Sequence, residues 1–202
     1  MARWAMVVDL DLCIGCNSCV LACKMGRGTP KGIFLNRVLE QEIGTFPKAR
    51  RVFWPLRCMQ CDQPACLEVC PTGATYQRED GIVCIDQNKC VGCRACVLAC
   101  PYDARTLLEG DIAYFDGHIT PFEEKVYAQH RPGTVMKCDF CADRLDQGLI
   151  PYCVQTCLTG ALIFGDLEDP DSEVSRTLNE HHLPLRLHEE LGTEPSIYYF
   201  GF

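Results

Sequence analysis

Seventeen cysteines in a chain of 202 residues are its most reactive feature, and sixteen of them fall into four runs. The runs are Cys13-x2-Cys16-x2-Cys19-x3-Cys23, Cys58-x2-Cys61-x4-Cys66-x3-Cys70, Cys90-x2-Cys93-x2-Cys96-x3-Cys100 and Cys138-x2-Cys141-x11-Cys153-x3-Cys157. The first and third have the bacterial ferredoxin spacing, and Pro101 completes it after the third. Three cysteines two residues apart can curl round one face of an iron–sulfur cubane and aim backbone N–H groups at its sulfurs. The fourth cannot reach that cubane. In two-cluster ferredoxins it ligates the neighbouring one, so the runs must work in pairs, and four runs predict four [4Fe-4S] clusters.

Order along the chain suggests the pairing. The second and third runs are joined by only Pro71 to Lys89, which leaves the first and fourth to close around them. The predicted inner clusters take Cys58, Cys61, Cys66 and Cys100, and Cys90, Cys93, Cys96 and Cys70. The predicted outer clusters take Cys13, Cys16, Cys19 and Cys157, and Cys138, Cys141, Cys153 and Cys23. Zinc is the main alternative, since Cys58-x2-Cys61 and Cys138-x2-Cys141 could each begin a tetrahedral site, but zinc explains neither the three-cysteine run nor its paired fourth member. Disulfides would need an oxidising context that the N-terminus does not announce, because Met1 to Val8 reach Asp9 before any long apolar stretch forms. The seventeenth cysteine, Cys84, sits in the strand-like Ile82-Val-Cys-Ile85 and is expected to be a buried free thiol acting as a small hydrophobe.

Elements must carry these runs, and repetition shows how. Cys13-Ile-Gly-Cys-Asn-Ser-Cys-Val-Leu-Ala-Cys23 and Cys90-Val-Gly-Cys-Arg-Ala-Cys-Val-Leu-Ala-Cys100 are two copies of one unit, and Cys70-Pro-Thr-Gly-Ala74 is echoed by Cys157-Leu-Thr-Gly-Ala161. Short β-like segments, Met6–Asp9 and Gly81–Asp86, lead into the runs, and Ala161–Phe164 follows the last. The predicted fold class is α+β: two ferredoxin-like units of the bacterial two-cluster type, one inserted in the other, with long loops and an extended C-terminal tail. Boundaries fall at residues 1–57 plus 125–170 for the outer unit, 58–105 for the inner unit, 106–137 for an insertion and 171–202 for a helix and tail. The intervals from Met25 to Arg57 and from Thr106 to Lys137 are expected to be surface excursions or partner-contacting loops. Ser172 is placed as the cap of a helix running to His181, and the terminal Ile197-Tyr-Tyr-Phe200 is expected to pack on this chain or on a neighbour.

The charge balance, 27 acidic against 19 basic residues, argues against nucleic acid as a partner. No stretch is apolar enough to span a bilayer, so the chain is expected to be soluble and to meet a membrane only through a partner. Lys24, Arg57, Lys89, Arg94, Lys137 and Arg144 stand beside the runs, where a positive charge favours a reduced cluster; as solvated surface charges they would do nothing. The histidines lack ligand spacing, and no nucleophile–base pair or phosphate loop is visible, so no catalytic residue is expected.

The four motifs in this order, with Cys70-Pro-Thr-Gly-Ala-Thr-Tyr-Gln-Arg-Glu-Asp-Gly81, Cys100-Pro-Tyr-Asp-Ala-Arg105 and Gly165-Asp-Leu-Glu-Asp-Pro170, resemble the iron–sulfur subunits of the dimethyl sulfoxide reductase family, which also serve polysulfide, thiosulfate, tetrathionate and arsenate reductases. The resemblance runs over nearly the whole chain, including Leu191-Gly-Thr-Glu-Pro195. It implies a catalytic partner carrying a molybdenum or tungsten bis-pyranopterin cofactor and often a quinone-reactive membrane subunit. It also implies a soluble subunit of a membrane-associated or periplasmic complex, exported beside its partner if periplasmic, with the cytoplasmic side also open. Leu158 departs from the family, where proline commonly follows the fourth cysteine. The second motif is complete, although some relatives lose a ligand there. A free-standing polyferredoxin shuttle is the competing expectation.

Overall fold

The computed structural model describes residues 2–110, 113–115, 117–181 and 184–201. In chain order its elements are β1 (Trp4–Asp9), α1 (Ser18–Arg27), β2 (Asn36–Ile43), β3 (Arg50–Arg57), α2 (Ala65–Glu68), β4 (Thr75–Gln77), β5 (Val83–Ile85), α3 (Ala95–Leu98), β6 (Arg105–Leu107), α4 (Pro121–Tyr127), β7 (Val135–Lys137), α5 (Ala142–Leu145), α6 (Tyr152–Gln155), β8 (Leu162–Asp166), α7 (Glu173–Glu180) and β9 (Ile197–Phe200). These are mixed α and β elements in small sheets.

β1 is the central strand of the largest sheet, antiparallel to β8 and parallel to β9. Its four middle residues are apolar and buried, so each face serves a different core. Met6 and Val8 join Ile197, Tyr199 and the cysteine-rich interior, whereas Ala5 and Val7 meet Val174 of α7. Because β8 follows the fourth cysteine run and β1 precedes the first, one sheet ties those two runs together. The segment between them carries its own hairpin, β4–β5, which joins the second run to the third. Residues 106–137 leave through β6 and return through β7, which pair antiparallel with Arg105 opposite Lys137.

Two expectations change. The interval from Met25 to Arg57 is largely an ordered hairpin, with β2 and β3 paired over their full length from Asn36–Arg57 to Ile43–Arg50. Pro55 sits inside β3, where proline argues against a strand, yet a two-stranded ribbon has a free edge that tolerates it. Residues 106–137 likewise hold α4, whose Thr120 and Glu123 form a reciprocal capping box. The tail is also more than extended chain on a surface. Its β9 is a sheet strand, and just before it the main chain bonds the second cysteine run through Ser196 N to Met59 O (2.9 Å), Gln63 N to Thr193 O and Asp62 N to Glu194 O. Tyr199, fully buried, donates its hydroxyl to Pro55 O at 3.0 Å. Ser172 caps α7 by accepting from Ser175 N, and the helix ends at Glu180, with His181 as its C-cap, stacked on Phe200. His182, the next residue, lies outside the described residues.

Tyr199 is therefore a core residue supplied by the tail. Tyr199→Ala is expected to cost about 3–5 kcal/mol, the range for losing a buried aromatic side chain. Tyr199→Phe is expected to cost only about 1 kcal/mol, the net worth of one hydrogen bond. Thermal melting of the anaerobically purified chain measures both, and an unchanged midpoint for the alanine variant would remove the tail from the core.

Candidate metal centres

All four cysteine runs start with the same backbone device. The residue just before the second cysteine has positive φ in each: Gly15 (68°), Gln60 (49°), Gly92 (67°) and Phe140 (53°). A left-handed residue there turns successive N–H groups toward one side, making a concave nest suited to anionic sulfur. Glycine reaches this conformation freely, whereas Gln60 and Phe140 must be held in it. Both are fully buried. The Gln60 amide spans two runs, donating to Cys138 O and accepting from Val83 N, each at 2.8 Å. Phe140 packs edge-on against Phe164.

The x3 spacing at the end of each run is one helical turn, supplied by α1, α2, α3 and α6. The fourth cysteine leaves that turn toward a different set. One space is lined by Cys13, Cys16 and Cys19 from the first run and by Cys157 from the last. A second is lined by Cys58, Cys61, Cys66 and Cys100, and a third by Cys90, Cys93, Cys96 and Cys70. With their mouths included, the three measure about 330, 340 and 320 Å³, near-equal volumes that suit one repeated occupant. Cys23, Cys138, Cys141 and Cys153 form the remaining group, brought together where α1 packs on α6, and the charges of their sulfurs oppose one another. Cys84 lines none of these spaces; it is buried on β5 opposite Tyr76.

The chemistry of the sulfurs fits a polynuclear metal group. Burial, followed by neighbouring cysteines, pushes the Cys23 and Cys61 thiols up to about 12 and Cys138 well above its ordinary value. Burial also carries Cys141 to about 11. Such thiols will not ionise alone, whereas metal coordination deprotonates a thiol outright. The outer sulfurs behave differently: burial opposes ionisation of Cys70, but the N–H groups of Thr75 (3.4 Å to sulfur) and Thr72 outweigh it and bring the thiol to about 7. Among the described residues, no three His, Cys, Asp or Glu side chains converge as tightly as one ion needs. A single zinc would hold its sulfurs about 2.3 Å from one centre.

Polar groups point into the same region. The buried side-chain nitrogen and oxygen atoms without a hydrogen-bond partner, among the described residues, are Nδ2 and Oδ1 of Asn36 and Nε and Nη2 of Arg57. These residues face each other at the base of the β2–β3 ribbon. Asn36 lies beside Cys19, and Arg57 Nη1 is 3.5 Å from the Cys153 sulfur. Unpaired polar atoms next to sulfur fit a sulfide-bearing group, which would accept hydrogen bonds from them.

The basic residues singled out from sequence divide. Lys89 and Arg94 are exposed, while Arg144 stacks on Tyr152. Lys24 donates to main-chain carbonyls including Pro30 O (2.8 Å). Arg57 and Lys137 are buried, which overturns the solvated alternative for those two. Arg105 is a residue that spacing missed. It is buried, with Nη2 2.8 Å from the Cys66 sulfur and Nη1 3.0 Å from Thr75 Oγ1. Its signal was its place five residues after Cys100, where the other copies carry Thr75 and Leu162.

Comparison with known proteins gives a consistent picture. A family model described as a 4Fe-4S dicluster domain matches residues 49–110 and 118–167, and another with that description matches residues 12–74. The chain is 44% identical to the B subunit of selenate reductase from Mesobacillus selenatarsenatis, over 98% of the chain and 71% of that protein. It is 41% identical to the B subunit of tetrathionate reductase from Salmonella typhimurium, over 98% of the chain and 72% of the relative. It is 38% identical to the B subunit of sulfite dehydrogenase from Allochromatium vinosum, over 98% of the chain and 83% of the relative.

The left-handed positions carry a test. A Cβ on Gly15 would run into the Phe53 ring, whereas one on Gly73, also left-handed, would meet open space. Gly73→Ala is expected to cost only the left-handed strain, about 1–2 kcal/mol. Gly15→Ala adds the clash and is expected to melt clearly lower and to bind less iron, as measured by thermal melting and iron content.

Proposed function

The chain belongs to the iron–sulfur electron-transfer subunits of the dimethyl sulfoxide reductase family, and on that premise we propose that it carries four [4Fe-4S] clusters and relays electrons between a quinol-linked membrane partner and a molybdopterin-containing catalytic subunit. The observation that carries this is the repeated exchange of cysteines: three sulfurs from one run share a space with one sulfur from another. That arrangement is the ligand pattern of paired cubanes. The proposed sets are Cys13, Cys16, Cys19 and Cys157; Cys138, Cys141, Cys153 and Cys23; Cys58, Cys61, Cys66 and Cys100; and Cys90, Cys93, Cys96 and Cys70. When bound, a cluster of this kind supplies one-electron storage at a potential set by its charge, hydrogen bonds and exposure.

The chain's own residues supply order and insulation. Gln60, next to Cys61, donates to Cys138 O at 2.8 Å, which supports placing the second and third sets side by side. The first and fourth sets are then the ends of a row, and there the exposed cysteines lie, Cys16 in one and Cys93 in the other. An exposed apolar side chain lines the space at each end, Ile14 at the first and Val91 at the other. Apolar surface beside the terminal sulfurs suits partners that dock there, and favours a subunit over a free-standing shuttle. The proposed units follow the strand pairing, with the segment from 58 to 105 held inside an outer unit of 1–57 plus 125–170, the insertion at 106–137 leaving and returning through β6 and β7, and residues 171–202 as the closing helix and tail. No helix among the described residues is long and apolar enough to cross a membrane, so the proposed membrane contact lies in a partner. The proposed setting is a membrane-associated or periplasmic complex. The catalytic partner would hold the molybdenum or tungsten.

Iron and acid-labile sulfide in protein purified without oxygen are expected at about sixteen each per chain, four for every cubane, with interacting four-iron EPR signals on reduction. A few zinc ions with almost no sulfide would overturn the proposal.

A further inference from the structure

We infer that Arg57 and Arg105 are redox-positioning residues, each a buried guanidinium set between the two cluster sites of one ferredoxin-like unit, where it raises the reduction potential of both. This rests on the four-cluster reading. Both side chains are buried to 3% exposure, and neither has a carboxylate partner among the described residues. Arg3, Arg27, Arg78 and Arg94 all pair with aspartate or glutamate, so the chain does not lack acids. Burying a charge is costly unless something of opposite sign compensates it. Around these two guanidinium groups the groups able to do so are cysteine sulfurs and, beside Arg57, the Tyr199 hydroxyl.

The placement is between sets in both cases. Arg57 lies 3.5 Å from the Cys153 sulfur, and it stands opposite Asn36, whose side chain lies beside Cys19 of the adjoining set. Two of its nitrogens have no partner and are free to donate to cluster sulfide. Arg105 donates to the Cys66 sulfur at 2.8 Å, interacts with Cys58 of that set, and also reaches Cys96 of the adjoining one. Duplication does not account for this likeness. Arg57 immediately precedes a run, where the other runs have Leu12, Lys89 and Lys137, whereas Arg105 follows one. Two unrelated positions supply the same group at the same kind of junction.

The consequence is electrostatic. Adding an electron makes a cluster one charge more negative, while arginine keeps its proton throughout. A fixed positive charge between two clusters therefore stabilises the reduced form of each and offsets the repulsion between them when both are reduced. Low dielectric makes the effect stronger than that of a solvated surface cation.

The test is an EPR-monitored redox titration of the full chain, purified anaerobically with its partner, for Arg57→Gln, Arg57→Lys, Arg105→Gln and Arg105→Lys, with exposed Arg176→Gln on α7 as the control. Each glutamine variant is expected to lower two of four midpoints, so that the reduced-to-oxidised ratio at the original midpoint drops at least tenfold, about 59 mV for one electron. The two variants should move different pairs. Lysine should stay near the parent, and Arg176→Gln should change the ratio less than twofold. A glutamine variant with full iron and four unmoved midpoints overturns the inference, as does one that moves all four equally. If a glutamine variant loses iron, lysine decides: restored iron supports a charge role, and loss in both overturns it in favour of packing shape. A parent chain without about sixteen irons instead defeats the four-cluster reading itself, so the two failures are distinguishable.

Discussion

The third and fourth cysteines of every run are an i,i+4 pair on one turn of helix, yet they serve different spaces. Four residues of α-helix advance about 6 Å, and side chains at that spacing share a face. A single turn is thus a strut of fixed length between neighbouring sulfur sets. It accounts for why α2, α3 and α6 are only four residues long: each needs one turn and has no further apolar face to bury. Reciprocity then forces pairing of runs that lie far apart in sequence. Cys157 can stand beside Cys13 only because β8 lies against β1, and the whole segment between must form compact structure inside that closure.

The same strut shapes the energetics. A chain organised around three sulfur-lined spaces and a fourth group of cysteines cannot build one continuous apolar core, and its buried side chains separate into a large cluster that includes cysteines and two smaller ones. Much of the interior is polar, with Arg57, Arg105, Lys137, Gln60 and Thr134 buried in it. Metal–thiolate bonds replace apolar burial as the source of cohesion in such folds, so assembly of the metal sites and folding of the chain are one process. The tail helps close the structure, since its main chain bonds the second run and its strand completes the β1 sheet.

The proposed sulfur sets rest on cysteine spacing, because helix pitch and nest geometry act over a few residues and leave a direct trace in sequence. The left-handed turn falls on glycine only at Gly15 and Gly92. Gln60 and Phe140 hid it, since their conformation is held by contacts with Cys138, Val83 and Phe164 that are distant in sequence. The β2–β3 ribbon was obscured by Pro55 and by the charges along its exposed half. Burial of Arg57 was invisible for a related reason: an arginine before a cysteine looks the same whether its strand ends in solvent or between two metal sites. Short-range geometry was readable, and long-range packing was not.

In the proposed row the two end sets are alike, since each holds an exposed cysteine, Cys16 in one and Cys93 in the other. Nothing in such a layout imposes a direction on electron flow, because a chain of fixed charges changes the level of each site and leaves its two exits equivalent in kind. Polarity then comes from whatever partners hold the ends. The relatives are named as subunits of reductases and of a dehydrogenase, while matching this chain along almost its whole length. A subunit whose interior is fixed by sulfur geometry and whose specificity lies only in its end surfaces can serve both, since changing the substrate requires no change in the spacing of its cysteines.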